Sequence, residues 1–343
     1  MRFDLFYELS LPPFLPRGEA QLYIDTLAEL ELADRLGFGC AWLVEHHFLP
    51  GYSHSSKPEL FLAAASQRTR KLRLGLGVIP LPYHHPIHVA ERVATLDLLS
   101  GGRLEVGIGR GFSPREYAAF GADMGQSRRL TEQGLDVLRA AFSGRPLPDP
   151  YAGLTILPAP LQTPPPLWSA AVSPDSFRWA ATQGLGVLAG PFKPWFMVRR
   201  DIAAYRAAWA GTQAPRIGMT VGVLCLADGR RARRLAQPAF EWFYGELFKT
   251  TLPVLERLYP SYEHFHDLGR LRRLIGLGTR LRVLEALGMA VVGDPAHCRE
   301  RLARYGRAGV THLLLAVGAG AVDSEVARES LVCLAEQVLP HLS

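Results

Sequence analysis

The chain has 343 residues, 48% of them hydrophobic and 20% charged, enough for a large core and compatible with an α/β barrel folded as a single domain over 1–343. No apolar run reaches the length of a membrane span, and Asp4 and Glu8 interrupt the first apolar stretch, which argues against a secretory signal. The net charge of +6 is dispersed, and the clusters Arg230–Arg234 and Arg270–Arg282 interleave with leucine as solvated helix faces do, so neither a nucleic-acid groove nor a membrane surface is expected as partner.

In chain order, Arg2–Leu9 is predicted as the first strand and Glu19–Leu36 as a helix with Leu22, Leu27, Leu30, Ala33 and Leu36 inward, stopped by Gly37. Cys40–His46 is the second strand, followed by a short helix at Pro58–Thr69. Leu72–Val78 is a buried strand, and Pro86 opens a helix whose apolar positions Ile87, Val89, Val93, Leu96 and Leu99 follow a 3.6-residue period up to Gly101-Gly102. Leu104–Gly109 is the next strand, so this segment is long enough for a right-handed parallel crossover. Ser113-Pro114-Arg115-Glu116 reads as a capping box, and a further helix runs over Gln126–Phe142. The proline-rich Arg145–Pro166 reads as an irregular excursion with a small hairpin. Strands at Leu167–Val172, Gly186–Ala189, Arg216–Leu226 and Val310–Val317 alternate with helices at Ser173–Thr182, Pro194–Trp209, Asp294–Gly309 and Ser324–Leu339. Asp228–Gly288 is mostly helical without a clear strand. Eight strands alternating with helices predict a TIM (β/α)8 barrel with a helical insertion after strand seven; the rival doubly wound sheet lacks its G-x-G-x-x-G after the first strand. Cys40, Cys225, Cys298 and Cys333 form no C-x-x-C pair and read as isolated buried thiols of a reducing compartment, so a cytoplasmic location is expected.

Catalytic residues of such barrels gather at the C-terminal ends of the strands. Glu45-His46-His47 falls there, and alternation sends Glu45 and His46 to opposite sides, one toward the mouth as a general base and one toward the wall. A histidine merely satisfied by hydrogen bonds is an equally weighted alternative. His84, His85 and His88 match no zinc spacing, so no metal is expected. Gly107, Gly109 and Gly111 share one face, which admits something flat or another backbone, and Arg110 between them offers a guanidinium fork suited to phosphate. Ser173-Pro174-Asp175-Ser176 opens a helix whose N-terminus can hold a phosphate, or is an ordinary serine cap. Two phosphate candidates in one barrel point to a phosphorylated cofactor.

Together these pieces resemble the bacterial luciferase-like, flavin-dependent monooxygenase family. The resemblance rests on Trp42–Phe48, His85-Pro86 through Glu91, Leu96-Asp97 with Ser100–Arg103, and Gly107–Gly111. It extends to Ala171–Pro174 with Trp179–Ala181 and to Val292–Pro295. It implies reduced FMN bound at the mouth and supplied by a separate flavin reductase, with O2 activated as a C4a-hydroperoxide that oxygenates a small organic substrate. It implies a catalytic role for His46 beside Glu45, phosphate contacts from Arg110, Ser173 and Ser176, and a non-proline cis peptide against the flavin at Gly77-Val78. Where the luciferase α subunit has a reactive cysteine this chain has Gly109, and where that subunit has a glutamate it has Val172, so light emission is not implied. The alternatives are an F420-dependent hydride-transfer oxidoreductase of the same fold and a non-catalytic flavin-binding subunit. A homodimer, or a heterodimer with a homologue, is expected through the apolar helices Pro58–Thr69 and Pro86–Ser100. Of the insertion's aromatics, Phe240, Trp242, Phe243, Tyr244, Phe248, Tyr259, Tyr262 and Phe265, half are assigned to the core and half to a lidded substrate channel, with Gly276, Gly278 and Gly288 as candidate hinges or, equally, helix ends.

Overall fold

Alternating side chains along each strand fill two separate apolar volumes, one inside a barrel and one between the barrel and its helices. The computed structural model describes residues 1–258 and 279–342. The parallel strands are β1 (Arg2–Tyr7), β2 (Cys40–Leu43), β3 (Arg73–Pro80), β4 (Leu104–Gly109), β5 (Leu167–Ala171), β6 (Gly186–Ala189), β7 (Ile217–Cys225), β8 (Ala290–Gly293) and β9 (His312–Val317). Sequential pairing from β1 to β7, then β7 with β9 and β9 with β1, closes an eight-stranded TIM barrel.

The eight expected strands all form, Leu104–Gly109 and Gly186–Ala189 with the expected bounds and the others with ends shifted by one to three residues. The ninth, β8, is a correction to the sequence reading. It pairs with Gly222–Cys225 in the upper half of β7, beyond the point where β6 leaves at Met219. Four residues are too few to show a period of two, and the Asp294 cap follows at once. β2 also ends at Leu43 rather than His46, so the Glu-His-His segment stands above the sheet. The hairpin expected within Arg145–Pro166 does not form; eight prolines in this stretch remove the N–H groups a strand ladder needs.

Helices α1 (Glu19–Leu36), α2 (Pro58–Arg68) and α3 (Pro86–Leu99) open the outer layer. α4 (Pro114–Ala119) and α5 (Ser127–Phe142) follow β4, α6 (Pro174–Thr182) follows β5, and α7 (Trp195–Ala207) follows β6. After β7 come α8 (Gly229–Leu258) and α9 (Leu281–Ala286), then α10 (Pro295–Arg307) and α11 (Ser324–Gln337). Among the described residues of the expected insertion, α8 and α9 are helical. In α8, Phe240, Phe243, Tyr244 and Phe248 are buried in the main core, with the Tyr244 hydroxyl donating to the Met289 carbonyl at 2.7 Å. A Cβ at Gly222 would sit 2.7 Å from the Phe240 ring, so that glycine lets α8 lie directly on β7. Tyr259, Tyr262, Phe265, Gly276 and Gly278 lie outside the described residues. Among the described residues no helix is long and apolar enough to cross a membrane. All four cysteines are buried and free, but Cys225 and Cys333 are not isolated, their sulfurs lying 3.6 Å apart.

Inside the barrel, Trp42 and Trp168 pack edge to face at 5.4 Å. Gly75 and Gly186 make room for them, since a Cβ at either would lie 2.4 Å from the ring. Beneath this layer Glu105 accepts from Arg73 at 2.6 Å, from Arg2 at 3.3 Å and from the Trp168 indole at 2.7 Å. Asp4 pairs with Arg2 at 2.9 Å and accepts from the Trp42 indole at 3.1 Å. The barrel floor is therefore a hydrogen-bonded ionic layer. Removing its central acid strands buried donors, so Glu105→Ala should cost about 3 kcal/mol of unfolding free energy, toward the low end for buried pairs because the arginines reach solvent. Urea denaturation of the two proteins measures it.

Candidate active site

At the opposite end, β1, β2, β3 and β4 release the residues that carry chemistry. Glu8 follows β1 directly. Glu45, His46 and His47 rise from β2, and Phe48 takes a left-handed φ of 60° to turn the chain. The loop that follows staples this region to β1. The Ser53 hydroxyl donates to the Glu8 carbonyl at 2.8 Å, and the His46 N–H to the Ser55 carbonyl at 3.0 Å.

Glu45 and His46 point into different surroundings, although they lie beyond the end of β2 and not within the expected strand. The Glu45 carboxylate meets His84 Nε2 at 2.6 Å and His47 Nε2 at 3.1 Å, with the Lys57 ammonium at 4.0 Å. Burial alone would raise its pKa, but the hydrogen bonds from His47 and His84 outweigh this and hold it at about 2. It is a fixed anion in the wall. His46 points between Phe112, at 5.4 Å between ring centres, and Tyr52, at 6.3 Å. Its Nε2 is 3.8 Å from Glu8 Oε2 and its Nδ1 3.9 Å from Glu116 Oε1. Burial pushes the imidazole down to about 4, so His46 is neutral at physiological pH and free to accept a proton.

Two acids of this cluster carry no sequence motif for a role at the mouth. Glu116 is the fourth residue of the expected capping box, and the Ser113 hydroxyl does accept its N–H at 3.4 Å. Its carboxylate does not return to cap the helix; it accepts from the His47 N–H at 2.8 Å and the Tyr83 hydroxyl at 3.0 Å. Burial raises its pKa against those two bonds. Glu8 is raised by burial to about 8, against hydrogen bonds from Tyr52 and Ser53. A charge at the end of an apolar strand is the one sign by which Glu8 is visible in the sequence.

The glycine face of β4 is filled by the protein itself. A Cβ at Gly107 would meet the Leu76 carbonyl at 2.3 Å, and one at Gly109 would meet Val78 at 2.5 Å. These glycines admit the neighbouring β3 backbone where it bulges between Leu76 and Ile79, a stretch that contains a cis Gly77-Val78 peptide. Above Gly109 opens a recess lined by Arg110, Arg128, Ser169, Ser173, Ser176 and, at the start of α6, Asp175, whose carboxylate is paired with Arg178. The Arg110 guanidinium is oriented by Ser127 at 2.7 Å, and the Tyr117 hydroxyl donates to the Arg110 carbonyl. Ser173 and Ser176 form a complete capping box: the Ser173 hydroxyl accepts the Ser176 N–H at 3.2 Å and the Ser176 hydroxyl the Ser173 N–H at 2.9 Å. Their hydroxyls thus build the start of α6, and the positive end of that helix faces the recess together with two guanidiniums. Such a donor set suits a phosphate dianion, so these residues fit the phosphate of FMN.

A closed parallel barrel with its titratable cluster and an anion recess at the C-terminal mouth is the layout of a TIM-barrel protein that works at that face. Residues 1–312 match the luciferase-like monooxygenase family, and the chain belongs to it. It is 29% identical to limonene 1,2-monooxygenase of Rhodococcus erythropolis over 92% of this chain and 80% of that one. It is 40% identical to 4-hydroxyprotoasukamycin monooxygenase of Streptomyces nodosus subsp. asukaensis over 52% and 50%. It is 31% identical to the oxygenase component of flavin-dependent trigonelline monooxygenase of Acinetobacter baylyi over 56% and 54%. The chain thus spans about half the length of the last two relatives. Among solved structures, monooxygenase RslO1 of Streptomyces bottropensis superposes with a TM-score of 0.83 at 28% identity over the full length of both chains. The fold alone is shared with the oxygenating constituent of 3,6-diketocamphane monooxygenase of Pseudomonas putida in complex with FMN, with a TM-score of 0.77 at 19% identity over 99% and 98%. It is also shared with an F420-dependent secondary alcohol dehydrogenase, with a TM-score of 0.71 at 17% identity over 100% and 99%.

Proposed function

We propose that the chain is the oxygenating component of a two-component flavin monooxygenase, which receives reduced FMN from a separate reductase and uses O2 to oxygenate a small organic molecule. The observation that carries this reading is the pairing, at one barrel mouth, of a guanidinium-lined recess with a half-buried histidine held toward its neutral form. The FMN-bound fold neighbour and the relative named as an oxygenase component support it. The reduced flavin supplies the electrons that activate O2.

The chain's own residues do the rest. Arg110, Arg128 and the start of α6 bind the phosphate. Gly109, Val78 and Ala170 give the cofactor a flat floor at the top of β3–β5. His46 accepts or returns a proton at Nε2, and Phe112 and Tyr52 with Phe243, stacked on Tyr52 at 5.5 Å, keep water out. Glu45 is a positioning residue that locks His47 and His84 into the wall. A second copy of the chain, or a homologue, covers α2 and α3, where Leu60, Leu98 and Leu99 are exposed.

Oxygen uptake tests the reading. The protein should bind reduced FMN tightly enough to delay its free oxidation and, with a suitable substrate, divert O2 from peroxide into product. Substrate-dependent oxidation of reduced F420 without O2 uptake, and no affinity for FMN, would establish the hydride-transfer alternative. Flavin binding without turnover on any substrate would make it a partner subunit.

A further inference from the structure

Glu8 sits at the mouth with no arginine or lysine among the described residues paired to it. Its side chain is 5% exposed. Oε1 accepts from the Tyr52 hydroxyl at 3.1 Å, while Oε2 is buried without a hydrogen-bond partner and points at His46 Nε2 across 3.8 Å. His46 Nδ1 is likewise buried and without a partner. An orphaned carboxyl oxygen facing an imidazole nitrogen, with the other ring nitrogen orphaned on the Glu116 side, is costly, and a native fold keeps such atoms where a function uses them. The gap itself is held open by construction. Ser53 and Ser10 tie the Tyr52-Ser53 turn to the chain just after β1, at 2.8 Å each, and Ser55 ties the same loop to the Val44 carbonyl at 2.6 Å. Rotation of the carboxyl by about 1 Å brings Oε2 to hydrogen-bonding distance of the imidazole.

We propose that Glu8 is the proton partner of His46, handing its carboxyl proton to Nε2 of the imidazole and taking it back, so that His46 can act as an acid without a net charge entering the pocket. In the transfer the Glu8 O–H bond breaks and the His46 N–H bond forms, leaving carboxylate and imidazolium side by side. Tyr52 stabilises the carboxylate, and Glu116, 3.9 Å from Nδ1, the imidazolium. Tyr83 donates to Glu116; Glu45 and His47 act electrostatically on His46, and Tyr244 of α8 acts on Tyr52. The starting state agrees with the burial of both groups: with Glu8 raised to about 8 and His46 lowered to about 4, the proton rests on the carboxyl at neutral pH, the reverse of the ordinary order. Glu8 is a positioning residue for His46, and the inference rests on the reading of His46 as the proton-moving group.

The test needs no cofactor. Histidine labelled with 15N in the imidazole ring, with His46→Gln to identify the signal, reports the His46 ring through a pH titration. In the native protein the signal should move as Glu8 ionises near pH 8. In Glu8→Gln that step should vanish, and in Tyr52→Phe, which removes the bond favouring the carboxylate, it should shift to higher pH. With reduced FMN and substrate, Glu8→Gln should lose about tenfold or more in turnover at neutral pH with unchanged flavin affinity, and Glu8→Asp should recover part of it. A His46 titration identical in all three proteins, with turnover within about twofold, would overturn the proposal. Absence of turnover in the native protein would count against the proposed function, while the titration still decides the role of Glu8.

Discussion

Replacing Arg110 with alanine should weaken FMN binding by about ten- to a hundredfold, the value of one charge-assisted guanidinium–phosphate contact of about 1.5–3 kcal/mol. Riboflavin, which lacks the phosphate, should bind the variant and the native protein alike. The reason is geometric. Arg110 follows the last residue of β4, Ser127 orients its guanidinium, and the recess it lines contains Arg128 and the start of α6. Arg110→Lys keeps the charge and loses the fork, so it should fall between the two. Ser176→Ala should act differently from the simple phosphate contact that the family resemblance implies. Its hydroxyl accepts the Ser173 and Val172 N–H groups at 2.9 Å each, so its loss should loosen the first turn of α6 by about 1 kcal/mol and weaken FMN binding through that turn. Titration of flavin fluorescence with each protein measures all of these. Equal losses for FMN and riboflavin would place the phosphate elsewhere.

Replacing His46 with glutamine should lower turnover by about 10²–10⁴ while leaving flavin affinity and the unfolding transition close to native. The imidazole is boxed by Phe112 and Tyr52, donates no hydrogen bond to a carboxylate, and is neutral at working pH, so glutamine fits its place but cannot shuttle a proton. The depressed value has two consequences of stated sign. Activity should fall little on acidification from pH 7 to pH 5 through protonation of His46, because that is half complete only near pH 4. Stability behaves otherwise. The unfolded chain binds this proton below about 6.5 and the folded one only below about 4, so His46 costs stability progressively as pH falls between those values and contributes no loss above them. In His46→Gln that part of the acid destabilisation should disappear, as urea denaturation at pH 7 and pH 5 will show.

Most of the barrel is legible in the sequence because its punctuation is local. Pro86, Pro114, Pro174 and Pro295 each begin a helix, Gly37 ends one in the left-handed conformation, and Leu104–Gly109 has the same bounds in sequence and structure. What the sequence hides is settled across the chain. β8 is four residues long and exists because β7 outlasts β6. Glu116 looks like a helix cap, yet its carboxylate is claimed by an N–H 69 residues away. Glu8 has no motif, and its importance comes from His46 being brought against it from β2. The glycines of β4 signal a close approach correctly, but the approaching group is the β3 backbone with Val78. The thiols of Cys225 and Cys333 are far apart in sequence and neighbours in space because β7 and α11 pack together.

In the proposed function one mouth holds the FMN phosphate and presents the flavin to His46. A crystal structure of the protein with FMN tests it most directly. The phosphate should lie in the recess of Arg110, Arg128 and the first turn of α6, with the flavin ring extending over Val78 and Gly109 toward His46. A phosphate seated elsewhere, or a flavin ring turned away from His46, would contradict it.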